Sequence, residues 1–487
     1  MKPTALLLPW LFKRWLLLTI IVMLLLLVGA FLSLRQPDLG LWHHQAPQGE
    51  FRAKDYKGEF SLAQYRELED RLFAQLDRYA VDLDATPQYS RFIRYVQDGQ
   101  NTPAKFPQNW NRTYELVPEK IRGGVLLIHG LSDSPYSLRQ IGEIFLRNGF
   151  YVLSVRLPGH GTVPAGLLDV SWEDWYAIVN RGARHVVART GKKGPFYICG
   201  YSAGGALALK YTADVLLNPQ GTRPDKLILF SPAVGITPFA RVSNWHKAFS
   251  WIPAFEKYKW VDVKTEIEPF KYTSFPKNAG AQMWNLSLAV QEDIDKLAKE
   301  NHMTRFPPVL TFQSVVDATT RAVDVVQKLY DKLPDNGSEL VVFDLNRSIY
   351  LRGLFAVDPE AALTALQESG ALSYRLTVIS NKDDSGVVAL TTAPSSNKAE
   401  EVPTGLKWPP GVYSLSHVAI PFPPDDPVYG TGPTDRSGGP VRFGRLFAKG
   451  ERKVLHIAAD DLLRMRYNPF FDYMAGRIQG WIDAERK

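Results

Sequence analysis

One pentapeptide carries most of the chemistry this sequence offers. Gly200-Tyr201-Ser202-Ala203-Gly204 is a G-x-S-x-G element that follows directly on the apolar run Phe196-Tyr197-Ile198-Cys199. It opens into the small-residue stretch Gly205-Ala206-Leu207-Ala208-Leu209. As strand, sharp turn and helix, this context lifts the Ser202 hydroxyl out of a sheet on a strained elbow. Gly200 and Gly204 are small because a side chain there would collide with neighbouring backbone. The pentapeptide alone is weak, since with glycine near ~7% of residues it arises by chance on the order of once in five chains this long. The strand before it and the helix after it make it informative. A serine so placed attacks acyl carbonyls, which requires donors for an oxyanion, a base, and an acid to orient that base.

The donors are expected at the end of an earlier strand. Val125-Leu126-Leu127-Ile128-His129-Gly130-Leu131 is an apolar run ending at His129-Gly130, so the Leu131 amide and the Ala203 amide form the expected pair. His129 precedes the serine, whereas the base is expected after the acid, so His129 reads as shaping the loop. His417 and His456 lie beyond the plausible sheet strands. His417, in Tyr413-Ser414-Leu415-Ser416-His417-Val418 before a proline-rich loop at 420–427, is taken as the base, and His456 in Val454-Leu455-His456-Ile457 as a partly buried histidine. Asp317, after the run 309–312, is taken as the acid. Asp344, after the next run, is the alternative, and Asp324 reads as an exposed helical residue. The chain order is then Ser, Asp, His. No H-E-x-x-H or comparable ligand cluster occurs, so no metal site is expected. The single cysteine, Cys199, excludes an intramolecular disulfide and a cysteine-based metal site. No cofactor is implied.

The elements that must position these residues are short β-branched runs at 125–128, 151–155, 196–199, 226–230, 309–312 and 340–343. Helix patterns alternate with them at 136–147, 172–188, 203–216 and 320–332. Ser171-Trp172-Glu173-Asp174 opens the second helix as a capping-box-like start. The alternation predicts an α/β fold with a mostly parallel central sheet. Two stretches break it. Residues 232–304 hold Trp245, Trp251, Trp260, Phe255 and Phe270 and are expected to form an inserted cap. Residues 347–402 are expected as a second insertion, with a helical piece at 360–368 and a hairpin of 374–380 and 386–392 about the turn 381–385. The carboxyl end predicts an amphipathic helix over 469–482.

The amino end adds an uncharged apolar run at 15–34, WLLLTIIVMLLLLVGAFLSL, long enough at about 1.5 Å per residue to cross ~30 Å of hydrocarbon. Lys2, Lys13 and Arg14 before it, against Arg35 after it, predict a transmembrane helix with residues 1–14 cytoplasmic and the rest extracytoplasmic, periplasmic in a Gram-negative cell. The competing reading is a cleaved signal peptide with Val28-Gly29-Ala30 as its site, which the length of the run disfavours. Residues 35–115 read as a polar linker with a helix near 61–79 and no chemistry, and 116–487 as the catalytic domain. The net charge of +7 is scattered, without the basic block that nucleic-acid binding uses, so no nucleic-acid partner is expected.

Four segments together, LLIHGLSDSPYSLR, RLPGHGT at 156–162, SWEDW at 171–175 and GYSAGG, resemble the monoacylglycerol lipase and carboxylesterase branch of the α/β-hydrolase superfamily, which also includes proline-type serine aminopeptidases. The resemblance covers about 123–333 and the region of His417. It implies Ser202, Asp317 and His417 as the triad, Leu131 and Ala203 as the oxyanion donors, and 232–304 as the cap. The family's path from acid to histidine is usually short, whereas here about a hundred residues intervene; the amino extension also lies outside the common pattern. The expected activity is hydrolysis of small-molecule or lipid acyl esters. Acyl transfer or peptide cleavage by the same triad, and a non-catalytic membrane-tethered binding protein, are the alternatives.

Overall fold

The computed structural model describes the chain apart from residues 1–6, 35–36, 57–59, 83–90, 192–193, 236–252, most of 349–371, 382–385, 397, 433–441, 446–462 and 485–487. It begins with α1 (Leu7–Leu34), which takes in the apolar run 15–34. Side chains in that run are described at 15–24 and at 31, where they are exposed, and among the described residues no helix is long and apolar enough to cross a membrane. The extension continues with α2 (Leu41–His44) and α3 (Leu62–Phe73). Helix α3 starts on a capping box in which Ser61 and Gln64 exchange hydrogen bonds, and it buries Leu62, Tyr65, Leu68 and Leu72.

The sheet elements follow as β1 (Tyr114–Leu116), β2 (Gly123–Ile128), α4 (Arg139–Arg147), β3 (Phe150–Val155), α5 (Trp172–Arg189), β4 (Phe196–Tyr201), α6 (Ala203–Leu217) and β5 (Lys226–Phe230). After a ribbon of β6 (Trp260–Asp262) and β7 (Phe275–Pro276) come α7 (Lys277–Lys299), β8 (Val309–Ser314), α8 (Ala322–Lys328), β9 (Glu339–Phe343), β10 (Arg375–Ser380), β11 (Val388–Thr392), β12 (Ala399–Pro403) and α9 (Phe471–Asp483). The main sheet has the order β1-β3-β2-β4-β5-β8-β9-β10-β11-β12. It is parallel from β3 to β10 and antiparallel at both edges, where β1 pairs with β3 and β11 and β12 close the far side.

Strands β2, β3 and β4 are buried on both faces, as runs covered by helices on either side must be. Alternate residues feed different cores. Leu126, Ile128, Ile198 and Leu229 join α5, α6, α7 and α8 on one face, whereas Val125, Leu127, Cys199 and Ile228 join α4 and α9 on the other. The α5 start matches its sequence signature, with Ser171 and Asp174 capping each other.

Within 232–304, α7 buries Met283, Leu286, Val290, Ile294 and Leu297 in the same core as α6, so it is a member of the helix layer. The β6–β7 ribbon reaches the strand ends, where Tyr272 N–H donates to the Ser132 carbonyl at 2.7 Å. Within 347–402, the expected hairpin is part of the main sheet, because β10 lies parallel to β9 with Leu376 opposite Leu340. The helical piece at 360–368 falls largely outside the described residues. The helix expected over 320–332 is shorter, α8 followed by a 3-10 turn at Tyr330–Lys332.

Candidate active site

Ser202 sits between β4 and α6 with φ +53° and ψ −111°, a conformation that non-glycine residues rarely adopt and that functional elbows store. Its N–H donates to the Phe230 carbonyl at 2.9 Å, and its own carbonyl accepts from Gly205, Ala206 and Ala233. The glycines are sterically required. A Cβ on Gly200 would stand 2.4 Å from the Gly204 carbonyl oxygen, and one on Gly204 would stand 2.0 Å from that of Ile128. As the first residue of α6, Ala203 has an amide with no intrahelical acceptor. Among the described residues neither the Leu131 nor the Ala203 amide has a hydrogen-bond partner.

Asp317 lies in the turn after β8, at the same end of the sheet as the elbow. Its Oδ1 accepts from the amides of Thr319 at 2.8 Å and Thr320 at 2.9 Å. Its Oδ2 accepts from Gln313 Nε2 at 3.1 Å, Thr320 Oγ1 at 3.0 Å and His417 Nδ1 at 2.7 Å. Burial opposes its charge, but the charge and hydrogen bond of His417, with the two threonine amides, hold the carboxyl down at about 2.

His417 opens a 3-10 turn, His417–Ala419. The strand-like piece before it is pinned to the end of β9, because Asn346 donates its N–H to the Tyr413 carbonyl and its Nδ2 to the Val412 carbonyl, both at 2.9 Å. Tyr201, next to the serine, turns its ring toward the imidazole at 5.4 Å and donates its hydroxyl to the His417 carbonyl at 3.3 Å. Among the described residues no hydrogen bond joins Ser202 Oγ to His417.

The alternative acid is engaged elsewhere, since Asp344 Oδ2 accepts from Ser380 Oγ at 2.6 Å and pairs with Arg347. Asp324, on α8, is buried rather than exposed and pairs with Arg321 just before the helix and with Lys328 at its end. His456 lies outside the described residues. His129 is fully buried, accepts from the Leu157 amide at Nε2 and contacts the Gly130 carbonyl at Nδ1, at 3.0 and 2.8 Å. A broad polar cavity lined by Arg66, Asp70, Arg94 and Arg112 contains none of Ser202, Asp317 or His417. Among the described residues no group of three His, Cys, Asp or Glu side chains is arranged to hold a metal ion.

The sheet order and the strand–elbow–helix turn meet a family match at this point. Residues 119–334 fit the family described as serine aminopeptidase, S33. Over those residues the chain is similar to the α/β-hydrolases of that branch. A thermostable monoacylglycerol lipase from Bacillus sp. (strain H-257) is 35% identical over 111 residues, which are 23% of this chain and 43% of that lipase. Among solved structures, one titled for the metagenome-derived lipolytic enzymes LipS and LipT is 21% identical, covering 53% of this chain and 97% of that one, at a TM-score of 0.37. A soluble variant of monoglyceride lipase from Saccharomyces cerevisiae is 14% identical, covering 47% of this chain and 81% of that one, at 0.36.

The residues that sequence reasoning missed lie in the extension. Glu50 and Glu69 both bind Arg156, the first residue of the loop RLPGHGT. The available signal was Arg156 itself, directly after the mostly apolar run Phe150-Tyr151-Val152-Leu153-Ser154-Val155, because a guanidinium carried into a core needs carboxylates and its own loop has none.

Proposed function

We propose that this chain is a serine hydrolase of carboxylic esters. In this reading the His417 imidazole takes the Ser202 proton as Oγ attacks an acyl carbonyl, and returns it to the leaving alcohol. Asp317 holds the Nδ1–H tautomer and stabilises the imidazolium, and the amides of Leu131 and Ala203 hold the oxyanion. Water then releases the acid from the acyl-enzyme by the same route. The observation that carries this reading is the His417 Nδ1–Asp317 Oδ2 hydrogen bond of 2.7 Å, made by a carboxylate with every lone pair engaged, together with the Ala203 amide at the elbow and the Leu131 amide after β2, neither of which has a partner among the described residues. A carboxylate so satisfied stays ionised and fixes which imidazole nitrogen is left to act as base. The substrate class, acyl esters including lipid-derived ones, is supported by the partial likeness to a monoacylglycerol lipase.

The test is labelling of the full chain with a fluorophosphonate probe, alongside turnover of short- and long-chain p-nitrophenyl esters. Labelling and turnover are expected in the wild type and lost in Ser202→Ala. A folded wild type that takes no label would end this reading in favour of a binding protein. Acyl transfer to an added alcohol uses the same residues and is scored by product analysis in the same assay.

The run 15–34 is part of the same proposal, as a single-pass anchor with residues 1–14 in the cytoplasm and the domain outside, motivated by its uncharged length and the flanking Lys13 and Arg14. Retention in membranes after alkaline carbonate washing is expected, and release into the soluble fraction would contradict it.

A further inference from the structure

The amino extension reaches the oxyanion loop through hydrogen bonds to Arg156 and from Leu157, the two joined by one step of backbone. Arg156, fully buried, follows β3 directly. Glu50 clasps its guanidinium with both oxygens, Oε2 to Nη1 and Oε1 to Nη2 at 2.9 Å each, and Oε2 also accepts from the Gly159 amide at 2.9 Å. From α3, Glu69 Oε1 accepts from Arg156 Nε at 3.1 Å and from Thr113 Oγ1 at 2.7 Å. The same guanidinium donates to the His160 carbonyl at 3.0 Å, and Tyr65 of α3 donates its hydroxyl to the Arg156 carbonyl at 2.8 Å. Both carboxylates come from the extension, so the loop after β3 is held from outside the sheet domain.

The next residue carries the line onward. Leu157 N–H donates to His129 Nε2 at 3.0 Å, which makes Nε2 an acceptor and leaves the proton on Nδ1. Nδ1–H then donates to the Gly130 carbonyl at 2.8 Å. That carbonyl and the Leu131 N–H belong to one planar trans peptide and point in opposite directions. Fixing the Gly130 oxygen therefore fixes the direction in which Leu131 offers its N–H. A donor must aim at the position the oxyanion will occupy, so a tilt of this peptide costs transition-state binding more than ground-state binding.

We propose that Glu50 is a positioning residue for the oxyanion loop, acting through Arg156, Leu157 and His129 on the Gly130–Leu131 peptide. The inference rests on the serine-hydrolase reading, since it assigns Leu131 the role that reading gives it. It makes the extension a working part of the active site.

The test compares wild-type full chain with Glu50→Gln and with Asp70→Asn. Asp70 lies on the same α3 and binds Arg112 at 2.7 Å on the surface, outside this line. With p-nitrophenyl butyrate, Glu50→Gln is expected to lower kcat ~10-fold, a fraction of the ~10²–10³ that deleting an oxyanion donor costs, with KM within about two-fold. Its affinity for an alkyl trifluoromethyl ketone, whose adduct carries an alkoxide where the oxyanion forms, is expected to fall by about the same factor. Asp70→Asn is expected to leave both within about two-fold, whatever it does to the melting temperature. If Glu50→Gln does not fold, Glu50→Asp, which keeps the charge but shortens the clasp, is read in its place with the same direction expected. A folded Glu50 variant with wild-type kcat and inhibitor affinity overturns the inference, as does an equal loss in Asp70→Asn. Fluorophosphonate labelling of Ser202 in the wild type separates these outcomes from a failure of the underlying reading, which would show no label at all.

Discussion

Two buried carboxylates, in the loops after β2 and β8, have opposite fates. Asp317 and Asp133 are about equally hidden, at 5% and 3% exposed. Asp317 accepts five hydrogen bonds and sits against His417, and its carboxyl is held at about 2. Asp133 accepts from the Ser134 amide at Oδ1, while among the described residues its Oδ2 has no hydrogen-bond partner and the nearby Ser137 hydroxyl donates to the Ser134 carbonyl. Burial there outweighs the Lys271 charge and pushes the carboxyl up to about 6. Depth alone therefore does not set the charge of a side chain; the neighbouring charge and the donors aimed at it decide against burial. A loop built to keep an acid ionised beside an imidazole is what the proposed chemistry needs.

The comparison breaks first at Asp317. Replacing it with Asn keeps the shape of the turn but offers an amide where the imidazole proton must go, and kcat for p-nitrophenyl butyrate is expected to fall by about 10⁴-fold, the scale of a wrong tautomer. Asp344→Asn is expected to stay within about two-fold by the same assay, since Asp344 serves Ser380 and Arg347.

Next in size is Asp133. Its folded pKa lies above the ordinary 3.8, so the native state holds the proton more tightly than the unfolded chain. Its contribution is fully present below about pH 4 and is lost as pH rises through about 6. Asp133→Asn is therefore expected to stabilise the protein by up to about 3 kcal/mol at pH 8 and to flatten the slope between those values, read from urea unfolding at several pH values.

Asp317 has the reverse sign. Its folded pKa is depressed, so its contribution, about 2 kcal/mol, is present above about pH 4 and is lost as pH falls toward about 2. Asp317→Asn should remove that acid-side slope, and an unchanged acid limb would contradict the assignment of charge. The smallest effect is expected at the surface pair of Arg112 and Asp70, where Asp70→Asn should cost less than about 1 kcal/mol by the same unfolding measurement.

The contrast also explains what was legible in the sequence. The parallel strands read directly because both faces are buried, which leaves unbroken apolar runs such as Val125-Leu126-Leu127-Ile128. The elbow read directly because its backbone tolerates only small residues at Gly200 and Gly204. Asp317 and His417 were legible as candidates by position after a strand and before a proline-rich loop, but not as a pair, since the sequence separates them by 100 residues and their meeting depends on the fold. The edge strands β1 and β12 were missed for a physical reason: β12, Ala399–Pro403, is exposed throughout and carries no apolar pattern. The hairpin of β10 and β11 was set apart as an insertion because strand-forming residues do not reveal which neighbour they pair with. Thr320 was read as the first residue of a helix, whereas its amide, like that of Thr319, is spent on Asp317. Glu50 and Glu69 were invisible because a carboxylate in a polar stretch looks solvated until its guanidinium is found.

The most direct test of Ser202, His417 and Asp317 acting together is to trap the acyl group. Wild-type protein quenched in acid during turnover of p-nitrophenyl butyrate should carry butyryl on the peptide containing Ser202 by mass spectrometry, and Ser202→Ala and His417→Ala should carry none. Turnover without an acyl group on that peptide, or acylation of His417→Ala at the wild-type rate, would contradict it.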